Sequence, residues 1–404
     1  MSPLSTAERA VLIEGVRTPR GKAKPDGGLA AIPPLSLVEQ TITGVLDRAG
    51  LDPAEVDEVV LGCASQVGEQ GANLARTAVL SAGLPEQVPG ISVNRFCSSG
   101  LDAVAIGAGL IVSGQAEVVL AGGVESVSRV PMFSDRGPLW ADAEVVRDVG
   151  SVHMGIAADL VATELGYDRD VLDAYGARTQ QRAAAAWQRG DHARSLLVPE
   201  GANIDRDEHV REGVTAEALA ALPPAFAELG ASGQDAIALA RVEGLAAIEH
   251  RHTRGTSPSV ADGAAMTLLT SPAAAERLGL NPRARLLGGA SAGCDPVRML
   301  LAGQDAIEVA LGRAGLDARD LDVVEFAEAF SALCVKLQRD LGLDDDRLNP
   351  NGGTIAMGHA FGATGAILLI GLVDELHRRE ARHGVAAVSG AAGSGAAVLV
   401  ERVA

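Results

Sequence analysis

Apolar residues along this chain fall into two rhythms that keep exchanging places. Short β-type runs at AVLIEG (10–15), VDEVVLGC (56–63), 91–96 and AEVVLAGG (116–123) alternate with helical spacing at 36–50, 72–83 and 98–113. The first helical stretch, LSLVEQTITGVLDRAG, spaces its apolar residues three and four apart and stops at Gly50. Such alternation predicts parallel strands joined by crossover helices, an α/β arrangement. The pattern breaks between about 127 and 255, which gathers Pro131, Pro138, both tryptophans and five of the eight histidines (153, 192, 209, 250 and 252). Helices such as 170–189 run through this stretch, and the alternation resumes near 258. A polar subdomain inserted into an α/β core is expected.

An internal repeat links the two ends. Residues 46–64, LDRAGLDPAEVDEVVLGCA, align with 311–329, LGRAGLDARDLDVVEFAEA, at an offset of 265 with nine of 19 positions identical. Both copies read helix, glycine stop, acidic turn, strand, which predicts two similar halves about a pseudo-two-fold axis. Cys97 lies in SVNRFCSSGLDAVAIG (92–107), where a β-prone run passes into an apolar helix. Free N–H groups and the helix dipole favour a thiolate at such a junction. Its counterpart in the second half is position 362, within NPNGGTIAMGHAFGATGA (349–366), so a dyad sets the loop around His359 opposite Cys97. A Cys–His pair supports nucleophilic catalysis. Taken singly, each has an ordinary structural reading, as a small buried thiol and as a histidine in a glycine-rich loop. A further glycine-rich segment, GVAAVSGAAGSGAAVLVE (384–401), reads as strand, turn and strand. Its backbone N–H groups suit an oxyanion hole, and close hairpin packing explains its small residues equally well.

Composition narrows the partners. The 404 residues are enough for two or three domains, and with 47% hydrophobic but only 2% aromatic residues the core must be built from Ala, Val, Leu and Ile. A net charge of −18 argues against nucleic acid and acidic membrane surfaces as partners. No apolar run approaches the roughly 20 residues of a membrane helix. The start, MSPLSTAERAVLIEGVRTPRG, lacks the layout of a secretory signal. Four widely spaced cysteines (63, 97, 294, 334) give neither a disulfide framework nor a metal motif, which fits a reduced, cytoplasmic setting. The histidines are scattered, and His250 and His252, two apart, would point to different faces of a helix, so no metal site is expected.

Taken in order, these segments resemble the thiolases, the β-ketoacyl-CoA thiolase/acetyl-CoA acetyltransferase family. The resemblance spans essentially the whole chain: RTPRGK, NRFCSSGLDAVAIGA, AGGVESVSRVPM (121–132), HMGIAAD (153–159), DEHVREG (207–213), ADGAAM (261–266), AEAF (327–330), NGGTIAMGHAFGATGA and the C-terminal glycine turn. It implies a duplicated five-layer αβαβα fold. The N-terminal half would be 1–126, completed by about 256–272, with a CoA-binding loop domain at 127–255 and the C-terminal half at 273–404. By this likeness Cys97 carries the acyl group as a thioester and His359 activates it. His153, Met154 and Arg211 match positions along CoA, although Arg211 in its acidic stretch also reads as a surface ion pair. CoA and acyl-CoA would be substrates, with no tightly bound cofactor and a homodimer or homotetramer as the assembly.

Departures from the family pattern fall on the proton machinery. Ser389 replaces the usual second cysteine, followed by Gly390, Ala391 and Ala392; a hydroxyl is a much weaker acid than a thiol. Ala327 replaces the usual Asn or His that holds the oxyanion-hole water, and Ala329 offers no substitute cysteine. In the CoA-lining segment Pro258 takes a serine's place between Ser257 and Ser259. Three readings stand: a thiolase-like acyltransferase in which water, Ser389 or another group replaces the cysteine; acyl transfer or thioester hydrolysis without carbon–carbon chemistry; and a non-catalytic CoA-binding scaffold. Retention of both Cys97 and His359 favours the first two.

Overall fold

The computed structural model describes residues 9–403; the first eight, part of the start read above for a secretory signal, lie outside them. Ten strands are present among these residues: β1 (Val11–Arg17), β2 (Gly21–Lys22), β3 (Glu58–Gly62), β4 (Gly90–Val93), β5 (Val118–Glu125), β6 (Ala261–Thr270), β7 (Ala284–Gly293), β8 (Val323–Phe326), β9 (His383–Gly390) and β10 (Ser394–Arg402). Helices of eight residues or more are α1 (Pro34–Ala49), α2 (Leu74–Ser81), α3 (Ser99–Val112), α4 (Met154–Glu164), α5 (Arg169–Arg189), α6 (Ala302–Ala314), α7 (Ser331–Leu341) and α8 (Phe361–Arg378). Helix α1 shows how local chemistry sets these bounds. Proline opens its first turn, Leu37, Val38, Thr41, Ile42, Val45 and Leu46 form one buried stripe, and Gly50 closes it at φ 66°. In the repeat Gly315 closes α6 at φ 69°, so the shared RAG triplet is a left-handed helix stop.

The strands follow the order β4-β3-β5-β6-β1-β7-β10-β9-β8, with β2 beside β6. From either end the order repeats itself, with β3 matching β8, β5 matching β9, β6 matching β10 and β1 matching β7. The expectation of parallel pairing holds only for β3–β4, β3–β5 and β8–β9. Antiparallel ladders join β5 to β6, β6 to β1, β1 to β7, β7 to β10 and β10 to β9. The reason is connection length: β9 and β10 are joined by only three residues, Ala391–Gly393, too few for a parallel crossover.

Side chains sort into layers. Leu37, Ile42, Val45 and Val79 of α1 and α2 pack with Val59, Leu61, Val118 and Met266 on one face of the first-half strands. On the opposite side of the molecule, Ile307, Leu311, Leu333 and Leu337 of α6 and α7 pack with Val324, Val385 and Leu399. Between the two halves lies a third cluster, in which Leu101 and Val104 of α3 and Leu368, Leu369 and Leu372 of α8 meet Val119, Leu269, Val388 and Val398. The result is the expected five-layer αβαβα stack. Of the two middle-layer helices α8 is the more enclosed, with nearly every residue of its first three turns buried, which is why it reads FGATGAILLIGLV with no polar stripe.

The two middle helices touch backbone to backbone at their N-terminal ends. A Cβ at Gly100 would lie 2.4 Å from the Gly362 carbonyl oxygen, and one at Gly365 would lie 2.5 Å from Leu101. Gly123 of β5 approaches the same Gly362 oxygen, to 2.0 Å from a built Cβ. Gly100→Ala is therefore expected to destabilise the fold by about 1–3 kcal/mol through overpacking. Gly109→Ala, further along the same helix and facing open space, should gain about 0.5–1 kcal/mol from reduced chain entropy. Paired denaturant melts of the two variants check this; equal midpoints would refute the tight crossing.

Candidate active site

The loop into α3 is held by its own polar residues. Phe96 takes φ 49°, an outlier for a bulky side chain. The turn is fixed by bonds from Phe96 N to Asn94 Oδ1 (2.7 Å), from Arg95 N to Ser99 Oγ (2.8 Å) and from Ser99 Oγ to Phe96 O (2.6 Å). Ser98 Oγ donates to Val388 O (3.0 Å), tying the loop to the end of β9. Cys97 sits at the crest, half-exposed, in a hollow lined by Ala64, Ser65, Phe96, Met132, Phe133, Asp135, Trp140, Met154, Phe361 and Ala391.

The surroundings of Cys97 work against the expected thiolate. Desolvation by the surrounding carbon, then the Glu125 carboxyl, push the Cys97 thiol up to about 12. These outweigh the helix N-terminus. Glu125 is the hub behind the loop. It accepts from Ala64 N (2.9 Å), Ser65 N (3.1 Å), Gln70 Nε2 (2.8 Å) and Gly362 N (3.0 Å), so one carboxyl joins β5, the β3 loop and the first turn of α8. Desolvation also raises the pKa of Glu125 itself.

His359 stands at the entry to α8, one residue after Gly358 at φ 98°. Its N–H donates to Ser259 O (2.8 Å) and its carbonyl accepts from Ala261 N (3.1 Å), which stitches the loop to the start of β6. Nδ1 pairs with Thr364 Oγ1 (2.8 Å), fixing the ring one turn into the helix. Phe361 stacks edge-on against that ring at 5.1 Å and also lines the Cys97 hollow, so it bridges the two residues. Burial first, then Arg20, lower the His359 pKa to about 3, leaving a neutral imidazole. Arg20 donates to Gly358 O (3.2 Å) and, with Arg17, grips Asp207 at 3.3 and 2.8 Å. Asp207 is thereby held well below the usual carboxylate range, and DEHVREG is clamped against the His359 loop.

The other sequence-predicted positions divide. Met154 and Ala391 line the Cys97 hollow, and together with His153 they line an adjoining one. His153 caps α4, accepting from Gly155 N at its Nδ1 (3.1 Å). Ala327 packs in the same apolar cluster as Cys97. Ser389 does not line the hollow: its hydroxyl donates to Leu300 O (2.7 Å) and accepts from Gly303 N (3.0 Å), with 2% of its surface exposed. Ser257 is buried with its hydroxyl unpartnered. Arg211 is exposed and makes no ion pair among the described residues; its N–H donates to Gln180 Oε1 (3.1 Å). His250 and His252, read as pointing apart, converge instead on Asp159 at 2.9 and 2.7 Å, because the segment they share is not helical.

Sequence reasoning passed over Glu125, Asp207 and Trp140. An acidic residue closing an otherwise apolar strand, VVLAGGVE, was the signal for the first. One of only two tryptophans in an aromatic-poor chain was the signal for the last.

Comparison with known proteins supplies the family. Residues 10–234 match the thiolase N-terminal domain and 280–402 the thiolase C-terminal domain. An acetyl-CoA acetyltransferase of Pseudomonas aeruginosa is 38% identical, covering 97% of this chain and 99% of that protein. A 3-ketoacyl-CoA thiolase of Cronobacter sakazakii is 36% identical, covering 98% and 100%. The crystal structure of the Bacillus anthracis acetyl-CoA acetyltransferase superposes with a TM-score of 0.84 at 31% identity, covering 98% of this chain and 99% of that one. With both family domains, full-length relatives and a shared fold, this chain belongs to the thiolase family.

Proposed function

We propose that the protein transfers acyl groups to and from CoA through a thioester on Cys97, cleaving or forming 3-ketoacyl-CoA. The observation that carries this is the crossing of α3 and α8, which brings the Cys97 and His359 loops to one place. In the step it supports, Cys97 Sγ attacks the thioester carbon while its proton passes to the neutral imidazole of His359. The imidazolium then returns that proton to the departing CoA sulfur. A neutral thiol and a neutral imidazole suit this exchange, since neither charge is buried before substrate arrives. The N–H groups of the Ala391–Gly393 turn face the reacting carbonyl as an oxyanion hole. His153, Met154, Arg211, Ser257 and Ser259 contact CoA or the acyl group it carries, in and beside a loop domain at 127–255 set between the halves 1–126, completed by about 256–272, and 273–404. CoA substrates without a tightly bound cofactor, a cytoplasmic setting and a homodimer or homotetramer complete the reading.

One observation favours a second reading, acyl transfer or hydrolysis without carbon–carbon chemistry. The Ser389 hydroxyl is engaged with Leu300 and Gly303, and Ala327 offers only a methyl group. Proton transfer for a Claisen step then falls to water in the Cys97 hollow.

Incubation with acyl-CoA should leave an acyl adduct on Cys97, seen by mass spectrometry of the tryptic peptides and lost in Cys97→Ala. Absence of the adduct in the wild-type protein would rule out both enzymatic readings. Because the free thiol titrates near 12, it stays protonated at neutral pH and its thiolate fraction climbs with pH. Iodoacetamide labelling of Cys97 in the free protein should therefore rise about tenfold per pH unit through neutrality. A plateau near neutral pH would mean that a His359 imidazolium holds the thiolate. Ser389→Ala strands Gly303 N–H and Leu300 C=O and should lower stability by about 1–3 kcal/mol. Its Cys97 acylation rate should stay within about threefold of wild type; a loss of about 10²-fold or more would make Ser389 a proton carrier.

A further inference from the structure

Four of this chain's few aromatic residues gather around one hollow, outside the core clusters. Two Trp, two Tyr and six Phe serve 404 positions, yet Phe96, Phe133, Trp140 and Phe361 all line the Cys97 hollow. Phe96, Phe133 and Trp140 are half-buried rather than part of any core cluster. They nevertheless hold one another, with Trp140 edge-on to Phe96 at 5.8 Å and tilted on Phe133 at 5.0 Å. Asp135 Oδ1 fixes the indole by accepting from its Nε1 (3.0 Å). Phe96 and Phe133 take φ of 49° and 70°, a left-handed backbone that bulky residues adopt only when their surroundings impose it.

The hollow continues past this wall. Phe133, Trp140, Met154 and Ala391 also line a second cavity of about 170 Å³, closed by Leu139, Val146, Val152, Leu229 and Met299. An apolar cavity of about 150 Å³ is enough to hold a benzene ring. Neither hollow is lined by Lys or Arg, and one carboxylate, Asp135, lies on the first. His153 is the single titratable group on the second hollow, and desolvation lowers its pKa, keeping it neutral. Its main-chain N–H is already bonded to Gln234 Oε1 (2.8 Å) and its Nδ1 to Gly155 N.

We propose, resting on the acyl-transfer reading above, that Trp140, Phe133 and Phe96 form the selective wall of an acyl seat for uncharged, apolar acyl groups of ring size or larger. The pantetheine arm of CoA carries two amides that need partners, and these walls supply few; an alkyl or aryl tail needs none. A dicarboxylic acyl group meets a carboxylate at the mouth and no cation beyond it. Acetyl leaves the deeper hollow unfilled. Trp140 is thus a specificity-determining residue, and Asp135 positions it.

The test uses Cys97→Ala protein, so that binding is read without acyl transfer, and titrates CoA, acetyl-, butyryl-, hexanoyl-, phenylacetyl- and adipyl-CoA calorimetrically. Each buried methylene is worth up to about fourfold in affinity. Hexanoyl- and phenylacetyl-CoA should bind at least about tenfold tighter than acetyl-CoA, and adipyl-CoA no tighter than acetyl-CoA. Adding Trp140→Ala, or filling the deep hollow with Val146→Trp, should erase that preference while leaving the affinity for CoA itself within about twofold. Equal binding of acetyl- and hexanoyl-CoA would overturn the proposal. So would weaker binding of CoA itself in the Trp140→Ala background, which would make the hollow the seat of the CoA arm. Failure of the acyl-transfer reading is registered separately, as the missing adduct on wild-type Cys97.

Discussion

The close crossing of α3 and α8 is the constraint on which the rest depends. Gly100 and Gly365 let the two helices approach through backbone contacts, and Gly123 lets β5 press against the same carbonyl of Gly362. Any side chain there would separate the helices and, with them, the loops that precede each one. Those loops carry Cys97 and His359. Glu125 closes the arrangement from behind, its carboxyl taking the N–H of Gly362 together with two N–H groups of the β3 loop. A single buried group thus answers the unsatisfied donors of two chain segments at once.

A second buried charge cluster fixes the segment inserted between β5 and β6. Asp207 reaches Arg17 and Arg20 near β1, and Arg20 goes on to the carbonyl of Gly358. Buried ion pairs of this kind add little net stability, because desolvation offsets most of their attraction. What they provide is position. The guanidinium of Arg20 cannot be left unpaired in the interior, so the DEHVREG segment and the His359 loop are held together as one unit.

The same dryness that makes this packing possible shapes the chemistry. Carbon atoms around Cys97 raise its thiol, and burial keeps His359 neutral. Both shifts favour an uncharged pair, so in the proposed attack the charge separation needs donors that face the new oxyanion. In the proposed reaction that role falls to the turn between β9 and β10, whose Ala391 lines the Cys97 hollow. Ser389, in β9 two residues before that turn, is bound into the junction with Leu300 and Gly303, so its place in the sequence and its place in the site differ.

Much of this was legible in the chain. The RAGLD repeat, with Gly50 and Gly315 as paired left-handed helix stops, announced a duplicated fold. The all-round apolar character of α8 marked a helix enclosed on every side. Both are local patterns, written in residue order because turns and periodicity act over a few residues. Pairing Cys97 with His359 needed only the repeat offset. Other features required residues distant in sequence to meet. Strand direction was set by how little chain joins β9 to β10 and by β6 returning after the insertion. The thiol's raised pKa came from desolvation by carbon drawn from at least five segments, and Glu125, 60 and 61 residues from two of the N–H groups it satisfies and 237 from the third, gave no periodic sign of its task. The sequence by itself determined most elements, the duplication and the juxtaposition of the Cys97 and His359 loops, since these follow from local rules and the repeat. Burial, charge state and the aromatic wall around Cys97 were decided only by tertiary structure, because they depend on which surfaces exclude water from one another.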